Sequence, residues 1–87
     1  MLSESNDYKV YIEVNLDHLP DGTLRPRSLV WEDGTRYEID RVVDVQRRAS
    51  LKAGGLGLRY TVEMGRHTRY LWLEESEGVL RWFVERK

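Results

Sequence analysis

The chain contains no cysteine, so disulfide staples, thiolate nucleophiles and the common cysteine-based zinc sites are all excluded. It has no run near the roughly 20 consecutive apolar residues that a bilayer-spanning helix needs. No segment is low in complexity, and no fixed-period repeat marks a solenoid or propeller. A dominant charge sign is missing as well. Fourteen basic residues against 15 acidic ones give a net charge of -1, which offers no long-range field for a polyanion. Residues 1–7 (MLSESND) are polar and acidic, without the basic start and apolar stretch of a secretory signal. They read as a flexible N-terminal segment ahead of a single domain over 8–87, and the expected compartment is the cytoplasm. At 87 residues the chain is too short for two cores.

What is present is alternation. Apolar and polar residues exchange places along most of the length, the period of half-buried strands. In Tyr8–Asn15, Val10, Ile12 and Val14 point one way and Lys9, Tyr11 and Glu13 the other. Leu16–Arg27 carries Pro20, Asp21-Gly22 and Pro26 and reads as a loop. Asp33-Gly34 separates Ser28–Glu32 from a run beginning at Thr35 and predicts a hairpin with a type I′ turn. The next strand is long, with Tyr37, Ile39, Val43 and Val45 on one face. Arg41 interrupts that face, which points to a bulge, a bend or a position at a barrel mouth.

Gln46–Gly57 is basic and then glycine-rich and reads as an exposed connection. A short helix from Asp44 as N-cap to Gly54 as its stop is the competing reading. Leu58–Met64 alternates with Leu58, Tyr60, Val62 and Met64 inward. A turn at Gly65–His67 leads into Thr68–Glu74, which is apolar on both sides: Tyr70 and Trp72 share one face, Leu71 and Leu73 the other. Glu75–Gly78 turns the chain into Val79–Glu85, where Leu80, Trp82 and Val84 form the expected buried face. The result is an all-β, single small antiparallel domain of about six strands. It buries its apolar face as a curled sheet or a small barrel, SH3-like or OB-like.

Chemical motifs are sparse. Gly54-Gly55-Leu56-Gly57 lacks the Gly-Lys-Ser/Thr ending of a phosphate loop and runs into a strand, so a flexible connection is its reading. His18 with Asp17 and Asp21 matches no metal-ligand spacing. No serine sits in a Gly-x-Ser-x-Gly elbow, and Glu74, Glu75 and Glu77 look like a solvated turn. No metal, cofactor or catalytic residue is therefore assigned, and an enzyme is not expected.

The informative feature is charge distribution. Residues 41–69 hold seven basic residues and two acidic ones, for +5, and the rest of the chain carries -6. Most of the basic residues are Arg, whose planar fork suits phosphate and carboxylate and stacks on rings. The leading reading is a small non-enzymatic binding domain that contacts an acidic partner, protein or nucleic acid. Its contact residues are Arg41, Arg47, Arg48, Lys52 and Arg59, with Tyr11 as an outward ring. The alternative is a small-ligand carrier or minor enzyme with a pocket near Arg41. No membrane association is expected, and the protein is read as a monomer or homodimer.

The runs Trp31–Ile39 (WEDGTRYEI), Arg59–Val62 (RYTV), Leu71–Leu73 (LWL) and Arg81–Glu85 (RWFVE) resemble a group of short bacterial β-domain proteins of unknown function. The resemblance implies a free-standing bacterial β domain and transfers no site.

Overall fold

The computed structural model describes residues 9–48 and 57–85. The N-terminal segment 1–7, Lys52 and most of the glycine-rich connection lie outside the described residues. The described chain is all-β. It comprises β1 (Lys9–His18), β2 (Leu24–Val30), β3 (Arg36–Glu38), β4 (Arg41–Arg47), β5 (Gly57–Met64), β6 (His67–Ser76) and β7 (Val79–Glu85). These form one antiparallel sheet in the order β3-β2-β1-β7-β6-β5-β4.

The sheet curls into a half-barrel because two stretches change partners midway. Residues Lys9–Ile12 of β1 pair with β7, and Glu13–His18 pair with β2. At the opposite side β3 pairs with β2 and β4 with β5, and only Ile39 and Asp40 separate them. The Ile39 amide donates to the Arg27 carbonyl and the Asp40 amide to the Glu63 carbonyl, at 2.9 and 2.8 Å. Consecutive residues thus tie the two ends of the sheet together. The enclosed face carries the core: Val10, Tyr60, Val62, Leu71, Leu73, Trp82 and Val84. Tyr60 packs on Trp82 with ring centroids 5.1 Å apart, and its hydroxyl donates across the interior to the Leu24 carbonyl at 3.2 Å.

Several expectations need correction. The expected third strand is divided at Ile39–Asp40, which makes seven strands rather than six. Leu16–Arg27 is mostly strand, forming the ends of a β1–β2 hairpin. Pro26, which lacks an N–H for a ladder, is accommodated opposite Leu16 beside a register shift at Asn15/Leu16, and β3 does not extend far enough to need that donor. Asp44–Arg47 is strand, which removes the Asp44 N-cap of the helical reading; the rest of that helix falls outside the described residues.

The Asp33-Gly34 hairpin forms, but not through a type I′ turn. Gly34 has φ +89° while Asp33 stays at negative φ, and the Gly34 amide bonds the Trp31 carbonyl at 2.9 Å. That is a type I turn completed by a left-handed glycine. Leu19–Thr23 repeats the construction, down to an Asp carboxylate accepting the amide of the following Thr at 2.9 Å in both turns.

Arg41 faces outward. A bulge between Val42 and Asp44 inserts Val43, so Val42 and Val45 take the inner positions and Arg41 lies opposite Glu63. Trp82 and Val84 are buried as expected, but Leu80, opposite Glu75 beside the β6–β7 turn, is 52% exposed.

Candidate functional site on the outer face of the sheet

Residues paired directly across antiparallel strands share a face. The registers therefore align Gln46 of β4, Arg59 of β5, Trp72 of β6, Phe83 of β7 and Tyr11 of β1 in one row across the outer surface. Among the described residues no second layer covers this row, yet Phe83 is only 1% exposed. Its neighbours supply the cover. Trp72 stacks on it at 5.9 Å between centroids with planes 3° apart, and Tyr11 meets it edge-on at 5.7 Å. The Lys9 ammonium lies 4.7 Å from the ring centre.

Beside that row sits Glu74, which is buried, contrary to its expected place in a solvated turn. Oε1 accepts hydrogen bonds from Lys9 Nζ at 3.1 Å and Tyr11 Oη at 3.0 Å, and Oε2 accepts from Arg81 Nη2 at 3.2 Å. Burial alone would push its carboxyl up. The Lys9 and Tyr11 hydrogen bonds, with the charges of Lys9 and Arg81, outweigh burial and hold it below the usual carboxylate range. A carboxylate so fully occupied is a fixed anion, poorly suited to take up a proton in catalysis. Its role is to anchor β1 and β7 onto β6. Alternation does carry a signal for it, since positions 70, 72 and 74 share one face and place Glu74 beside the outer aromatics.

At the other end of the row, Arg59 Nη2 and Arg48 Nη1 both donate to Gln46 Oε1, at 3.2 and 3.3 Å. The Arg59 guanidinium lies 4.2 Å above the Tyr70 ring, and its Nε is buried without a hydrogen-bond partner, as is Nε1 of Trp72. Two guanidinium groups thus lean on one neutral oxygen.

The remaining cations sort clearly. Lys9 and Arg81 meet Glu74, Arg25 and Arg27 meet Asp17, Arg36 meets Glu38, and Arg41 meets Glu63. Among the described residues, Arg47, Arg48, Arg59, Arg66 and Arg69 have no carboxylate partner. They do not form one patch. Arg48 and Arg59 meet on the outer face where β4 ends and β5 begins, Arg47 lies at the same end but opposite Leu58 on the inner side, and Arg66 and Arg69 belong to the β5–β6 turn at the far end of those strands. Of the sequence-derived contact residues, the structure brings Arg47, Arg48 and Arg59 to one end. Arg41 sits apart in its pair with Glu63, and Tyr11 is engaged with Glu74 beneath the Arg81 guanidinium, 4.3 Å from its ring.

A recess of about 1010 Å³ opens between Trp31 and the start of β6, away from this cluster. A second of about 430 Å³ is lined by Asp17, Arg25, Arg27, Glu38 and Arg41 among others, most of them already in ion pairs. Among the described residues no group of three His, Asp or Glu side chains is placed to hold a metal ion, and no helix is long and apolar enough to cross a membrane. No family model, curated protein or solved structure matches the chain.

Proposed function

We propose that this is a non-enzymatic binding domain that contacts an acidic partner through Arg47, Arg48 and Arg59. One observation carries the reading: Arg48 and Arg59 share the single amide oxygen of Gln46, with no carboxylate beside them among the described residues. Each Lys and Arg of β1–β3, and Arg41, has an acidic partner, so among the described residues positive charge is left over here and, separately, at Arg66 and Arg69. Arg59, stacked on Tyr70 with its Nε buried, is a partly immobilised fork, and such a fork gives up little entropy on gripping a carboxylate or phosphate. The folding-over of β1 and of β3–β4 supports a small barrel of the SH3-like or OB-like kind as the finer architecture.

The alternative, a small-ligand carrier or minor enzyme with a pocket near Arg41, has less behind it. The Arg41 side chain is 67% exposed and already paired with Glu63 at 3.2 Å, so its fork is not waiting inside a cavity.

Binding of poly-glutamate and of single-stranded and duplex oligonucleotides, measured over a salt series, tests the proposal. Binding to at least one polyanion that weakens with salt and is lost in Arg48→Glu with Arg59→Glu is the expected result. No binding even at low salt would remove the proposal.

A further inference from the structure

We propose that the free edge of β4 is a strand-addition site for an extended acidic peptide of a partner protein, laid antiparallel along Asp44–Arg48. The inference rests on the reading of Arg47, Arg48 and Arg59 as the acidic-partner contact and names the class of partner.

Among the described residues β4 ends the strand order and pairs with β5 alone. The Arg48 amide donates to the Gly57 carbonyl at 2.9 Å. In an antiparallel ladder such bonds recur at alternate residues, so Gln46 and Asp44 also turn their backbone groups to β5. The N–H and C=O of Val45 and Arg47 then face outward. The side chains along this edge are those of a strand awaiting a neighbour: Val43 and Val45 are 50% and 45% exposed. The bulge at Val43 bends the first part of the strand, an ordinary guard against unwanted pairing, but Asp44–Arg48 beyond it is regular. The opposite edge, β3, has three residues, all exposed, with Arg36 paired to Glu38.

Charge selects the occupant. A second copy brings only Asp44 as an acid to this edge: paired about Gln46 it sets Asp44 opposite Arg48 but leaves Arg47 opposite Val45. An acidic segment places a carboxylate opposite both Arg47 and Arg48, neither of which has a carboxylate partner among the described residues. Because pairing is antiparallel, its acidic residues fall at its N-terminal end, followed by a β-branched residue over Val45 and a neutral one opposite Asp44.

The test uses the full chain and a synthetic peptide, Glu-Glu-Thr-Val-Thr with blocked ends, beside the same peptide N-methylated at alternate residues and beside oligo-dT. Binding of the plain peptide is expected, with loss of about tenfold or more in affinity on N-methylation and in Arg47→Glu with Arg48→Glu. The Val45 and Arg47 amides should become protected from hydrogen exchange. N-methylation changes only the ligand, so the outcome is independent of how well any variant folds. Equal binding of plain and methylated peptides, or binding of oligo-dT with none of peptide, overturns strand addition and leaves the acidic-partner reading standing. Failure of peptide, poly-glutamate and oligonucleotides alike removes both.

Discussion

Lys9 and Glu74, 65 residues apart in the chain, meet across β7 with Nζ 3.1 Å from Oε1. Their side chains are only 5% and 10% exposed. The pair covers Phe83 and joins the first strand to the sixth over the seventh, so it couples segments that no local turn connects. Taking two charges out of water is costly. Here the cost is offset by further hydrogen bonds from Tyr11 and Arg81 to the same carboxylate.

Removing one partner should therefore be worse than removing both. Glu74→Gln leaves the Lys9 ammonium without its anion and is expected to cost about 3 kcal/mol. For a domain of this length that lowers the melting temperature by roughly 12 to 24 °C. Lys9→Met with Glu74→Met, which exchanges the pair for apolar side chains over Phe83, should recover much of the loss. Thermal unfolding followed by far-ultraviolet circular dichroism compares the three; a double variant less stable than Glu74→Gln would refute this account.

The same carboxylate sets the acid response. Its pKa is depressed in the folded state from an ordinary value of 4.5. Its contribution is thus present in full above that value and is lost as pH falls through the lower folded pKa. Asp21 and Asp33, whose carboxyls are lowered mainly by the side-chain and backbone hydrogen bonds of Thr23 and Thr35, act in the same sense from below 3.8. Urea midpoints measured from about pH 6 down to pH 3 should fall more steeply for the native chain than for Glu74→Gln. Parallel curves would show that Glu74 does not carry the acid dependence.

Alternation makes the inner faces of β5, β6 and β7 legible, because Tyr60 and Val62, Leu71 and Leu73, or Trp82 and Val84 are neighbours two residues apart and need only a local period. Single-residue events are not visible that way. Val43 is one extra residue in β4, and carrying a strict period through it turns Arg41 inward and Val42 outward, the reverse of the structure. Pro26 carries an ordinary turn signal, and only the irregular pairing at Asn15/Leu16 lets it stay in a strand. Arg47, Arg48 and Arg59 stand out in the sequence as a charge excess. That Arg59 is held by Gln46 and Tyr70, and that Glu74 is claimed by Lys9, follows from strand order, which has no local signature.

The β6–β7 turn carries a correctable flaw. Glu77 has φ +53° and Gly78 φ +80°, the conformation of a type I′ turn, which favours Asn or Gly at its first central position. A glutamate there bears the left-handed penalty without the short polar side chain that relieves it. Glu77→Asn is expected to stabilise the domain by about 0.5 to 1 kcal/mol, read as a higher urea midpoint with an unchanged slope. A lower midpoint would mean that Glu77 makes a compensating interaction outside the turn.

β7 places successive aromatic residues on opposite faces, and both are buried: Trp82 at 7% exposure inside the curl against Tyr60, and Phe83 at 1% outside it beneath Trp72, Tyr11 and Lys9. Trp82→Ala and Phe83→Ala should each cost about 3 to 5 kcal/mol, the range for deleting a buried aromatic ring. Against a total stability of roughly 5 to 10 kcal/mol, either leaves the domain close to unfolding. Trp72 provides the contrast. It is half-buried and lies over Phe83 from the solvent side, so Trp72→Ala removes one face of a stack and opens no interior cavity; its cost should stay below about 2 kcal/mol. Urea denaturation of the three variants decides the point. A Phe83→Ala loss no larger than that of Trp72→Ala would mean that the outer row is a surface ornament, and that the half-barrel is held from one side only. A loss matching Trp82→Ala would show that the sheet has a second, thinner core on its outer face, sealed by Lys9, Tyr11 and Trp72.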